Sequence, residues 1–145
     1  MADVTVQPTE QMRYRRYRPS VRAARADARA LAGRWQHPQL ADDLALTVSE
    51  LVTNAVIHGA TGRGSHVQVT YALLEDRLRV EVRDAADGRP LLFQNRAARA
   101  ELHTLGRGLT VVAALSHRWG VIPRVIGKSV WAELLLLPLE SSRAT

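Results

Sequence analysis

From Leu44 to Gly59 the chain reads Leu-Ala-Leu-Thr-Val-Ser-Glu-Leu-Val-Thr-Asn-Ala-Val-Ile-His-Gly, and this stretch limits the possible folds more than any other. Leu44, Val48, Leu51, Val52 and Ala55 recur at i, i+4, i+7, i+8 and i+11, the spacing of a helix that turns one face to a core. Glu50, Asn54 and His58 are four apart and share the other side of that helix. Such a pair can be a solvated helix face. It also suits a Mg²⁺–phosphate site, with a carboxylate as base and a carboxamide oxygen as ligand, because Mg²⁺ takes oxygen ligands and often keeps only one or two from protein.

A chain of 145 residues allows one domain with its own core. Hydrophobic residues are 46% and charged residues 23%, a globular composition and not a disordered one. The absence of cysteine excludes disulfide scaffolds, thiolate metal sites and cysteine nucleophiles, and it fits a cytoplasmic protein. No apolar run approaches the roughly 18 residues of a membrane helix, and Met1 to Glu10 has neither the basic start nor the apolar segment of a secretory signal. The net charge is +6, with Lys128 the sole lysine. Arg13, Arg15, Arg16, Arg18, Arg22, Arg25, Arg29 and Arg34 fall close together, opposed in that stretch by Asp27. That cluster fits a nucleic-acid footprint, a docking face for an acidic protein, or a solvated helix face. No nucleic-acid-binding motif accompanies it, which weighs against direct nucleic-acid binding.

The pattern predicts a loose N-terminal tail over 1–10, one domain over 11–138 and a C-terminal tail over 139–145. Within the domain it predicts an edge strand from Gln11 to Tyr17, and a helix from Val21 to Trp35 with Ser20 as N-cap and an end near Gly33. A second helix runs from Pro38 to His58, closed by Gly59. Val67, Val69 and Tyr71, then Leu78, Val80 and Val82, alternate as an antiparallel hairpin turning at Glu75-Asp76. A third helix follows from Leu109 to Ser116, then strands from Trp119 to Val125 and from Ser129 to Leu137. The order βααββαββ is an α+β pattern: a two-layer sandwich whose mixed, mostly antiparallel sheet carries about three helices on one face.

Asp84 stands at a strand end, where a carboxylate is placed either for a turn or for a ligand such as an exocyclic amine. Gly106-Arg107-Gly108 precedes a helix, so bare backbone N–H groups and the helix dipole could meet an anion there. It is neither a Walker A loop nor a dinucleotide fingerprint.

The motifs in order are a helix with Glu50 and Asn54, a strand ending at Asp84, Gly106-Arg107-Gly108-Leu109, Trp119-Gly120-Val121, and Lys128-Ser129-Val130-Trp131. This set resembles the GHKL ATPase superfamily with its Bergerat fold, and more narrowly the small stand-alone anti-sigma factor serine kinases. The likeness extends from residue 11 to about 138. It implies ATP and Mg²⁺ as ligands, Asn54 on the metal, and Glu50 as the general base. It implies Asp84 on the adenine amino group, with Gly88, Gly106, Arg107, Gly108 and Leu109 around the nucleotide. Ser129 would lie near the adenine, and His58 at the helix end is a further contact candidate. One departure stands out: the family's Asp-x-Gly-x-Gly box reads Asp84-Ala85-Ala86-Asp87-Gly88 here, and Ala86 adds a methyl group where glycine permits close backbone approach. The stretch from Gly88 to Leu105, where the resemblance implies a lid, is short.

The resemblance implies a regulatory switch: a kinase that phosphorylates a serine on a STAS-domain anti-anti-sigma partner and sequesters a sigma factor, with a homodimer formed through the first strand and helix. Ala86 keeps open a second reading, a module of the same fold that sequesters a partner without catalysis.

Overall fold

The computed structural model describes residues 7–58, 66–85, 109–124 and 127–136. In chain order they form β1 (Thr9–Arg15), α1 (Pro19–Arg34), a 3₁₀ turn (Pro38–Leu40), α2 (Ala41–His58), β2 (His66–Leu73) and β3 (Arg77–Ala85). A helix α3 over 109–115, β4 (Arg118–Pro123) and β5 (Lys128–Leu135) follow. The element order is the expected one. The strands form one sheet in the order β1-β2-β3-β5-β4. All four pairings are antiparallel, so among the described residues the sheet is uniform and not mixed.

Alternation decides which side of this sheet becomes the core. Val69 faces Val82 and Tyr71 faces Val80 across β2 and β3, and Val80 faces Ala132 across β3 and β5. All are buried and share one face with Val67, Leu78, Val130 and Leu134. Leu44, Val48, Leu51, Val52 and Ala55 of α2 close over that face as the spacing predicts, each 7% exposed or less. Ala24, Ala28 and Ala32 recur every fourth residue on the buried side of α1, and their small side chains allow close packing against α2.

The other sheet face is polar. Arg79 reaches Glu133 at 3.2 Å and Arg124 reaches Glu81 at 2.8 Å. The Arg79 guanidinium also lies 4.2 Å from the centre of the Trp131 ring, a cation–π contact. Gly120 sits directly opposite Trp131. A Cβ there would stand 2.9 Å from the indole, so the bare Cα is what lets the ring lie over β4.

Several boundaries differ from the sequence reading. β1 begins at Thr9 and ends at Arg15, so Thr9 and Glu10 belong to the sheet and not to a loose tail. Ser20 is not the N-cap of α1. The helix starts at Pro19, a residue suited to the first turn because it lacks an N–H, and Ser20 Oγ donates to the Arg15 carbonyl at 2.5 Å. α1 ends in a Schellman motif: Gln36 N–H bonds the Gly33 carbonyl, His37 N–H bonds the Ala32 carbonyl, and Gln36 takes φ +65°. Pro38 opens a separate 3₁₀ turn, and α2 begins at Ala41 with Asp42 and Asp43 at its positive end. β5 stops at Leu135. Among the described residues no helix is long and apolar enough to cross a membrane.

Candidate functional site

The last two turns of α2 carry the candidate site. Asn54 follows Leu51 and Val52 into the packed layer, and only 7% of it is exposed. Its Nδ2 is buried without a hydrogen-bond partner among the described residues. An amide buried in that state is costly, by about 1–3 kcal/mol for an unsatisfied group, unless a ligand meets it. Glu50, one turn earlier on the same helix, is half-buried. Thr47 extends the same line: it is fully buried, and its hydroxyl also has no partner among the described residues. Its i, i+3, i+7 relation to Glu50 and Asn54 was readable from the sequence and was missed.

Asp84 comes from the sheet. It lies inside β3, paired with Val67, and not beyond a strand end. It follows Val80 and Val82 on the helix-covered face and is 2% exposed. A carboxylate buried to that degree needs donors around it. Gly127 fixes the backbone at this point. It has φ +71°, and a Cβ on it would fall 2.3 Å from the Asp84 carbonyl oxygen. Bare backbone from the start of β5 therefore packs directly on the residue expected to read a base. The sequence shows Gly127 as a turn residue, but nothing in it announces this contact.

Leu109, at the start of the described part of α3, is buried in the same core as α2 and β3. Ser129 goes elsewhere. It pairs with Arg83 and so points to the polar sheet face, where its Oγ accepts a hydrogen bond from Arg124 Nε at 3.0 Å. It is fully buried there, on the opposite side of the sheet from Asp84, because successive strand residues face opposite ways. His58 closes α2. Gly88, Gly106, Arg107, Gly108 and Ala86 lie outside the described residues.

The arginine-rich segment has no single destination. Arg29 pairs with Asp42 and Arg34 with Glu10. Arg18, Arg22 and Arg25 line a shallow depression at the start of α1 with Pro19 and Val21. Arg16 donates through Nε to the Ala55 carbonyl at 3.1 Å. Within β1 the half-buried Tyr14 donates to Asp27 at 2.6 Å, and partial burial together with that carboxylate raises its pKa well above the usual tyrosine value. Among the described residues no cluster of three or more His, Asp or Glu side chains could hold a metal ion.

Among the described residues an antiparallel sheet is thus covered on one face by helices, with Glu50 and Asn54 on α2 and the buried Asp84 on the covered side. The histidine kinase-like ATPase domain family matches residues 16–132. The chain belongs to that family, whose ligand is ATP. It is also 39% identical over 80 residues to an anti-sigma F factor of Clostridium acetobutylicum, a match covering 49% of this chain and 52% of that protein. The chain thus spans about half the length of the curated relative it matches.

Proposed function

We propose that this chain is an ATP–Mg²⁺-dependent regulatory kinase of the anti-sigma factor type, which transfers a phosphoryl group to a serine of a STAS-domain partner and holds a sigma factor inactive. The single observation carrying the reading is the buried amide of Asn54, one turn beyond the half-buried Glu50, on α2 of a histidine kinase-like ATPase domain. The similarity to an anti-sigma F factor supports the sigma-factor part.

The residues present fit the group. The Asn54 carboxamide oxygen is a hard ligand of the kind Mg²⁺ takes, and the unpartnered Nδ2 would donate to a phosphate oxygen beside it. When bound, the cation supplies charge neutralisation across the nucleotide phosphates. Glu50 accepts the proton of the attacking serine hydroxyl, the serine oxygen bonds to the γ-phosphorus, and the bond to the leaving diphosphate breaks. Asp84 accepts a hydrogen bond from the adenine amino group, held in place by the β3–Gly127 contact. Leu109 supports the start of α3 from the core.

Calorimetric titration with ATP, with and without Mg²⁺, beside Asn54→Ala and Glu50→Ala, tests this. Wild type binds with Mg²⁺-dependent affinity, and Asn54→Ala loses that dependence. Glu50→Ala still binds ATP, while phosphoryl transfer to a STAS partner falls by roughly 10²–10⁴. Transfer at the wild-type rate by Glu50→Ala would remove Glu50 as the base. Ala86 favours the second reading, sequestration without catalysis; wild type that retains its sigma factor but never consumes ATP would select it.

A further inference from the structure

We propose that Arg16 is a positioning residue for the nucleotide site, acting through the end of α2 and not by touching the ligand; this rests on the functional reading above. Arg16 lies between β1, which ends at Arg15, and α1, which begins at Pro19. It is half-buried, and its Nε–H donates to the Ala55 carbonyl at 3.1 Å across 39 residues of sequence. Ala55 is within the last four residues of α2, which ends at His58. The carbonyls of a helix's last turn carry the negative end of its dipole. Arg16 adds a second donor and a positive charge at that turn.

The residue that benefits is Asn54, whose peptide unit adjoins that of Ala55. Its Nδ2 has no hydrogen-bond partner among the described residues, so no side-chain hydrogen bond through that atom fixes the amide. Its orientation is set by packing and by the backbone of the last turn, which is the part of a helix most prone to fray. A charged hydrogen bond on that turn resists fraying. It also lowers the negative potential of the helix end near which an anionic nucleotide must sit. Among the described residues Arg29 and Arg34 reach Asp42 and Glu10, and Arg18, Arg22 and Arg25 are exposed at the start of α1, while Arg16 reaches the backbone of α2.

The test compares wild type with Arg16→Ala and Arg16→Lys by two readouts. Amide hydrogen exchange of the free protein is followed over residues 50–58. Arg16→Ala accelerates exchange there by roughly tenfold, while β2 and β3 exchange as in wild type, and Arg16→Lys, which keeps charge and a donor, recovers much of the protection. Unchanged exchange over 50–58 overturns the brace whether or not ATP binds. ATP titration is the second readout. Arg16→Ala loses roughly tenfold of the Mg²⁺-dependent gain in affinity and keeps its Mg²⁺-free affinity, with rescue by lysine. Equal loss with and without Mg²⁺ marks a structural role and overturns the positioning of Asn54. Wild type that binds no ATP sinks the functional reading and the positioning role with it, and the exchange result then shows separately whether the brace exists.

Discussion

Replacing Gly127 by alanine should damage the fold and the nucleotide site together. Two costs are built into the geometry. At φ +71° an alanine pays about 1–2 kcal/mol for the left-handed conformation. Its Cβ would also lie 2.3 Å from the Asp84 carbonyl oxygen, where ordinary contact needs more than 3.0 Å. Relief requires a shift approaching an ångström in paired backbone, which costs about 1–3 kcal/mol as overpacking. The total loss is about 2–5 kcal/mol against a domain stability of about 5–15 kcal/mol. Urea unfolding at neutral pH measures it, with a lower midpoint and an unchanged slope. Because the shift falls on Asp84, ATP affinity should drop as well, in protein that is still folded. Gly33→Ala is the matched control. Gly33 lies within α1 and has nothing within 4 Å of where its Cβ would stand. That change should stabilise by about 0.5–1 kcal/mol through helix propensity. If Gly127→Ala costs less than the overpacking range, under about 1 kcal/mol, and leaves ATP affinity intact, the close packing of β5 on Asp84 is wrong.

Tyr71→Phe should hold or raise stability, by up to about 1–2 kcal/mol, because the Tyr71 hydroxyl is fully buried with no hydrogen-bond partner among the described residues; urea midpoints decide it, and a clear loss would mean the hydroxyl is satisfied. Burial, with Asp27 and Glu10 adding to it, raises the Tyr71 pKa, and Tyr14 is raised likewise. The unfolded chain therefore releases tyrosine protons near the ordinary pKa of about 10 while the folded chain keeps them. Stability should be insensitive to these groups below that pH and fall above it, with a shallower fall in Tyr71→Phe. Gln36→Gly should stabilise by about 0.5–1 kcal/mol, since Gln36 holds a left-handed position at the end of α1 that glycine adopts without strain; an unchanged or lower midpoint in urea would contradict the motif.

The periodic elements could be read from sequence because burial imposes their periods. The α2 stripe and the β2–β3 hairpin face the core as their spacing requires, and Glu50, Asn54 and Asp84 stand out as polar residues interrupting those patterns. What the sequence hid was set by contacts far apart in it. Ser20 looks like an N-cap, but Pro19 had already started the helix and left the hydroxyl free to bond Arg15. Ser129 lies on the polar sheet face: side-chain direction in a strand reverses with every residue, and only the pairing with Arg83 fixes its side. Arg16 and Gly127 act on residues 39 and 43 positions away, distances at which no local pattern survives.

The strand order has a consequence for how the chain reaches this structure. β2 and β3 meet across a tight turn and can pair as soon as both exist. β4 and β5 likewise meet across a short connection, so they can pair locally, and it is β5 that joins this second hairpin to the first by docking along β3. That docking joins residues as distant as Leu78 and Leu134, and closing so long a loop is the slow kind of step. The same event brings Gly127 against Asp84. Assembly of the candidate nucleotide site should therefore coincide with the late, long-range phase of folding, after the helices and the two local hairpins have formed.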